Sequence, residues 1–312
     1  MYYADTSRIG LPFAKDPSVI RFHGKYWMYY SIPSSTPDAD APTTGGKGWS
    51  IGIAQSSDLI RWTKVGEMTP SQPIEMDGIA APGARVLDGK VELFYQTYGR
   101  AKLDAICHAT SGDGLHFNRD PSNPVYRPLH MRWSVGRAID AEVFPLGKEL
   151  LLFFVTRDPS MRIQQIGLAA APLGSTYQRG TWHDVSVKGP ILAPTLPWEQ
   201  LCTEAPTVLK HGDLFYMFYA GGYNNAPQQI GVATSRDGRS WKRMFDHPLL
   251  ANGKPGTWNS SESGHPGVFT DEDGRTYLFY QGNNDQGHTW YMSMKEVRWH
   301  GVEPYLVEPT PR

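Results

Sequence analysis

The chain has 312 residues, 40% hydrophobic and 12% aromatic, enough to bury a core as one large all-β domain or two smaller ones. A formal charge of −1 offers no basic field for nucleic acid or a membrane surface, and an uncharged partner is expected instead. Two cysteines, Cys107 and Cys202, make no disulfide framework and no metal-ligand spacing, and no stretch approaches the roughly 20 apolar residues of a membrane helix.

Along the chain, the opening "MYYADTSRIG" lacks a basic patch followed by an apolar run, so no signal peptide is visible and a cytoplasmic location is expected. From Asp16 the sequence reads "DPSVIRFHGKYWMYYS", a strand, a glycine turn and an aromatic strand. The same form returns as "APGARVLDGKVELFYQ" from Ala81, "DAEVFPLGKELLLFFV" from Asp140, "EAPTVLKHGDLFYMFY" from Glu204 and "HPGVFTDEDGRTYLFY" from His265. The interval is about 60 residues, and a period of that length signals a repeat architecture. A second hairpin follows each first one: "IGIAQSSDLIRWTK", "AICHATSGDGLHFNR", "IGLAAAPLGSTYQRGTWH", "IGVATSRDGRSWKR" and a degenerate "WYMSMKEVRW". Four strands repeated five times predict one all-β domain over residues 1–312, a five-bladed β-propeller with four antiparallel strands per blade.

In such a blade the chain reverses at each turn. The turns between strands 1 and 2 and between strands 3 and 4 share one face, and here they are short. The other face carries long segments such as residues 32–49 and 184–203, where binding residues concentrate. The residues that open strand 1 of the five blades lie at this long-loop face, beside the axis. They are Asp16, Ala81, Asp140, Glu204 and His265, so three acids and a histidine from distant parts of the chain are expected in one pocket. Asp16 alone reads as an Asp-Pro strand opener, but a chance placement of three acids in five such slots is improbable when acids are 31 of 312 residues. Crowded carboxylates of unequal protonation suit glycoside hydrolysis, where one activates water and another protonates the leaving oxygen.

The motifs "KDPSV", "AIDAEVF", "TEAPTV" and "SGHPGVF", in this order and spacing, resemble the family 43 glycoside hydrolases, relatives of the family 32 and 68 fructan enzymes. The resemblance covers all five blades. It implies Asp16 as general base, Asp140 as pKa modulator and orienting acid, Glu204 as general acid, and inversion by single displacement. It also implies that His265 lies on the axis, either contacting substrate or supporting a metal such as Ca²⁺, while the chemistry itself requires no cofactor. Ala141 and Ala205 stand where that family usually has Pro and Gly.

The expected partner is an oligosaccharide losing a terminal pentose, α-L-arabinofuranose or β-D-xylose. The alternatives are an anhydrogalactosidase (family 117) or galactofuranosidase type of propeller, a glycoside phosphorylase, and a non-catalytic carbohydrate-binding propeller. Trp49, Trp133, Trp198 and Trp258 fall in long-face segments and are expected to supply sugar-stacking walls. Arg137 reads equally as a sugar contact or a structural ion pair, Glu142 as an outlying acid or an Arg-paired side chain, and Asn224, Asn225, Asn283 and Asn284 as polar contacts or turn formers. Asp158 in "TRDPSM" follows strand 2 rather than opening strand 1 and is set aside, as are His108 and His211. The turn "TSRDGRSW" resembles a sialidase Asp-box on the short-turn face and reads as structural.

Overall fold

The computed structural model describes residues 1–35 and 47–309. After the short β1 (Tyr2–Tyr3), blade 1 comprises β2 (Lys15–Phe22), β3 (Lys25–Ile32), β4 (Ser50–Ser56) and β5 (Thr63–Met68). Blade 2 comprises β6 (Ile79–Leu87), β7 (Lys90–Thr97), β8 (Ile106–Ser111) and β9 (Asn118–Arg119). Blade 3 is β10 (Ile139–Leu146), β11 (Glu149–Arg157), β12 (Gln164–Pro172) and β13 (His183–Asp184). Blade 4 is β14 (Thr203–His211), β15 (Leu214–Gly221), β16 (Gln229–Ser235) and β17 (Lys242–Arg243). Blade 5 is β18 (Glu262–Thr270), β19 (Thr276–Asn283), β20 (Tyr291–His300) and β21 (Glu303–Val307). Each sheet runs antiparallel in chain order, and the five-bladed propeller read from the repeat is the fold.

One expectation is corrected in blade 5. Residues 290–299 do not form a hairpin; Tyr291–His300 is a single long strand. Its outer edge is shared, with Tyr2 and Tyr3 pairing with Ser293 and Met292, and Glu303–Val307 pairing with His300–Glu296. Both ends of the described chain therefore meet on one strand and close the ring, which removes a free edge from the final sheet.

The core is divided among the blade interfaces rather than gathered into one mass. One cluster, for instance, joins Phe94 and Ile106 of blade 2 to Val143, Leu152 and Phe154 of blade 3. The aromatic just before each outer strand serves these interfaces: Trp62, Phe117, Trp182 and Trp241 all pack against such clusters. Nearest the axis, the strands approach too closely for side chains. A Cβ on Gly83 would lie 2.0 Å from the Ala141 carbonyl oxygen, and one on Gly267 would lie 2.1 Å from that of Pro17. Glycine is required there by contact between neighbouring blades.

On the short-turn face, Asp58, Asp113 and Asp237 each cap a turn by accepting two backbone N–H groups, for example from Arg239 (2.8 Å) and Ser240 (2.7 Å) to Asp237. "TSRDGRSW" is thus structural, as its position suggested. Two connectors hide fully buried glutamates that the sequence did not betray. Glu75 binds Tyr95 and Glu199 binds Tyr219, with Arg119 and Arg243 alongside, so each buried charge is met by a hydroxyl and a guanidinium.

Candidate active site

All five innermost strands break register near their start. The shifts fall between Lys15 and Ser18, Ala80 and Gly83, Ile139 and Glu142, Glu204 and Thr207, and Gly264 and Gly267. At each break one residue takes a left-handed backbone: Asp16 (φ 57°), Ala81 (46°), Asp140 (50°), Ala205 (50°) and His265 (41°). A side chain in that conformation is strained unless its surroundings hold it, and here each peptide N–H is claimed by a side-chain oxygen. Gln281 accepts from Asp16 (2.9 Å), Ser31 from Ala81 (2.7 Å), Gln96 from Asp140 (2.9 Å), Asp140 from Ala205 (3.3 Å) and Gln228 from His265 (3.1 Å).

This series corrects one expectation. The slot in blade 4 belongs to Ala205; Glu204 stands one residue earlier, level with Lys15, Ala80, Ile139 and Gly264. The proline that follows most slots (Pro17, Pro82, Pro206, Pro266) carries this alignment and was available in the sequence. Bulges re-aim side chains, and Glu204 still joins the same cluster.

The three acids are each only 8% exposed. Asp16 meets His265 at 3.0 Å, Oδ1 to Nδ1. Asp140 reaches the blade 4 backbone through Oδ2. Burial pushes the Asp140 carboxyl up to about 7; His265 opposes the rise, while Glu204 and Asp16 add to it. Glu204 is clamped by two amides, Gln164 donating to Oε2 and Gln228 to Oε1. Gln164 is itself fixed, because its Oε1 accepts from Arg137 (3.1 Å) and Arg157 (2.9 Å). Arg137 also faces Asp104 at 3.6 Å, so it serves as an ion-pair partner while bracing the glutamine that holds Glu204.

The same neighbourhood contains a group that sequence reading missed. Lys15, the blade 1 counterpart of Glu204 in register, lies over the Trp290 ring at 4.2 Å. With the Asn224 amide turned to satisfy both neighbours, its oxygen accepts from Lys15 (3.1 Å) and its nitrogen donates to Glu262 (2.9 Å). Burial would lower the Lys15 ammonium, but Asp16, Glu262 and Tyr98 together outweigh it and hold the pKa above the ordinary lysine value. Glu262 is fully buried, accepts from Gln281 (2.8 Å) and from the Asn225 N–H (2.6 Å), and is raised to about 7 by burial against the pull of Lys15. Gln281 therefore links Glu262 to the Asp16 backbone. Asn283 binds Asn225 at 2.9 Å, so three of the four asparagines act in this lattice.

The tryptophans expected to wall the sugar differ in burial: Trp49 is buried, while Trp133, Trp198 and Trp258 are half-buried. Trp49 is 3% exposed, in a cluster with Phe13, Ala80 and Trp290. Trp133 donates to Ser186 O (2.8 Å) and leans on the blade 2–3 core, Trp198 covers Gly221 and Gly231, and Trp258 meets Tyr2 and Tyr280. Trp198 and Trp258 lie against glycines of the blade edges they cover, Gly221 and Gly231 for the first and Gly282 for the second. The loop expected to deepen the pocket, 32–49, includes residues 36–46, outside those described. Glu142 proves to be Arg-paired, 3.9 Å from Arg85 and accepting from the Val208 N–H (3.1 Å). Asp158 caps its own exposed loop through Arg162 and Ile163 N–H. For an axial ion, His265 offers an imidazole, yet among the described residues no three His, Cys, Asp or Glu side chains converge as ligands.

Behind the acids, an axial cavity of about 550 Å³ runs from Asp140 and His265 past Glu142 to Arg21 and Asp271. Asp140, Glu142 and Glu262 all sit near 7, whereas unfolded carboxyls release protons near 3.8 to 4.5. The folded chain then holds more protons than the unfolded one between about pH 4 and 7, and stability falls as pH rises through that window. Thermal unfolding is expected to give a lower Tm at pH 8 than at pH 5, and Glu142→Gln should flatten the difference. A Tm that climbs from pH 5 to 8 contradicts this.

Comparison with known proteins agrees with this geometry. The chain is similar to a thermostable family-43 glycoside hydrolase (TM-score 0.73, 18% identity, 96% of this chain and 94% of the other). It is also similar to an α-L-arabinofuranosidase from Lactobacillus brevis (0.69, 17%, 96% and 96%) and to a GH32 β-fructofuranosidase of Bombyx mori (0.72, 16%, 99% and 64%). No curated protein matches. At these identities the structures speak for the fold alone. The profile of the glycosyl hydrolases family 43, however, matches residues 9–302. Nearly the whole ring, bulged acids included, falls inside that match, and the chain belongs to glycosyl hydrolase family 43.

Proposed function

We propose that this glycosidase releases terminal pentose units, α-L-arabinofuranose or β-D-xylose, from oligosaccharides with inversion. Asp16 acts as general base, Glu204 as general acid and Asp140 as the acid that tunes and orients them. The observation that carries the reading is the convergence of Asp16, Asp140 and Glu204 from three blades, with their partners fixed by His265, Gln164 and Gln228. Asp16 takes a proton from water as that water attacks the anomeric carbon. Glu204 delivers its proton to the departing glycosidic oxygen, and the charge on the sugar stays transient. Asp140 lies close enough to Glu204 for the two carboxyls to act on each other, and through Oδ2 it holds the blade 4 backbone beside Glu204. His265 fixes the Asp16 carboxylate through Oδ1, leaving Oδ2 for water.

The pentose assignment draws support from the chain's similarity to an α-L-arabinofuranosidase, an exo-1,5-α-L-arabinanase and an endo-1,4-β-xylanase. A panel of 4-nitrophenyl glycosides tests it. Turnover of the α-L-arabinofuranoside or β-D-xyloside in phosphate-free buffer is expected. Activity confined to a galactofuranoside or anhydrogalactoside would move the substrate. Activity only with phosphate would make the chain a phosphorylase, and binding without turnover would make it a lectin-like propeller.

A further inference from the structure

A second groove lies at the rim of the ring, where the connector from blade 2 to blade 3 passes the outer edge of blade 3. It encloses about 660 Å³, within the range of sites that hold small ligands. Its floor is aromatic. Tyr126 is buried and Trp182 half-buried, their rings edge to face at 6.4 Å. Leu129 and Val187 flank them, 64% and 50% exposed, so the floor stays apolar up to the solvent.

Two arginines stand among the polar groups around this floor. Arg127 donates to the carbonyls of Gly136 (2.9 Å) and Lys102 (3.2 Å), and Arg179 to those of Pro124 (3.0 Å) and Asn123 (2.9 Å). Backbone carbonyls fix a guanidinium without neutralising it, and among the described residues neither arginine has a carboxylate within ion-pair distance. In each, Nε and one Nη are taken by those carbonyls, and the other Nη has no protein partner among the described residues, so N–H donors remain for a carboxylate. His130 and His183 stand exposed beside them. The lining holds one carboxylate, Asp184, whose Oδ1 accepts from the Tyr126 hydroxyl at 2.8 Å while its Oδ2 is buried with no hydrogen-bond partner among the described residues, so the two guanidiniums must outweigh it.

We propose that this rim groove binds a carboxylate-bearing glycan, a uronic acid stretch of the polysaccharide whose side chains or ends the axial site trims. An apolar aromatic floor suits the face of a sugar ring, and two preset, unneutralised guanidiniums select a ring that carries a carboxylate. The groove also shares a connector with the catalytic well. Gly136, which anchors Arg127, directly precedes Arg137, which braces Gln164 and through it Glu204. The part of the proposal that concerns trimming rests on the glycosidase reading; binding itself does not.

The test uses the full chain carrying Asp16→Asn, so that turnover cannot consume the ligand. Its binding to oligogalacturonides, to their methyl-esterified (neutral) forms and to arabino-oligosaccharides is measured by calorimetry. Tight binding of the free acid but not of its esterified form is expected, weakening as NaCl is raised, while arabino-oligosaccharide, a ligand of the axial site, should bind without regard to the rim substitutions. The double substitution Arg179→Glu with His130→Glu should weaken free-acid binding at least about tenfold, in line with loss of a charge-assisted hydrogen bond. Arg179→Lys should recover part of the loss and shows that the fold is intact. The same variants on the active background should leave turnover of a small aryl glycoside unchanged. Equal affinity for esterified and free acid, no binding of the free acid by the full chain, or free-acid binding indifferent to the double substitution would each overturn the proposal. None of these outcomes depends on whether the aryl glycoside panel succeeds.

Discussion

Replacing Asp16 with Asn is expected to lower kcat by about 10²–10⁴-fold, the usual contribution of a positioned general base, while Tm shifts little. Asn is the informative replacement because of the backbone. Asp16 sits at φ 57°, a conformation that Asn tolerates better than other residues with a side chain. The amide also retains an oxygen that can face His265 and leaves the Asp16 N–H on Gln281 untouched. What disappears is the ability to accept a proton from water. Stopped assays with an aryl glycoside, run beside thermal unfolding, separate the two effects. A variant within about tenfold of the parent rate would remove Asp16 from the chemistry.

Glu204→Gln is expected to give a loss that depends on the leaving group. For a sugar leaving group, which must be protonated as it departs, the loss should again be about 10²–10⁴-fold. For 2,4-dinitrophenolate, which departs without a proton, most of the loss should vanish. The structure adds a complication with its own readout. Both Glu204 oxygens accept from glutamine amides, and the new amide nitrogen would face a donor, leaving a buried mismatch of about 1–3 kcal/mol. Thermal unfolding of the substrate-free variant should register that cost, separately from the leaving-group series. A loss of the same size for every leaving group would make Glu204 structural.

The fold was legible because a propeller repeats its turn chemistry. Gly24, Gly89, Gly147, Gly212 and Gly274 all adopt positive φ at the first hairpins, and the aromatic strands between them announce the blades. Asp16, Asp140 and His265 were legible as slot residues for the same reason. Glu204 was found one position out of register, since an acid was followed where the proline was the better marker. Lys15, Glu262, Gln164 and Gln228 were not legible. Their importance comes from which blades are neighbours in space, and a lysine beside Asp16 or a glutamine in strand 3 carries no pattern of its own. The tryptophans' position in long connectors was read correctly, whereas the contact of Trp198 with Gly221 and Gly231 and of Trp258 with Gly282 depends on how each connector folds over the blade it leads into, which no local pattern announces.

The most direct measurement is the stereochemistry of the first product. Proton NMR of the newly released sugar, recorded before mutarotation, is predicted to show the anomer opposite to that of the substrate, because one water activated by Asp16 displaces the leaving group once. Release of the same anomer would mean two displacements through a covalent intermediate, and would contradict Asp16 as a base that acts only through water.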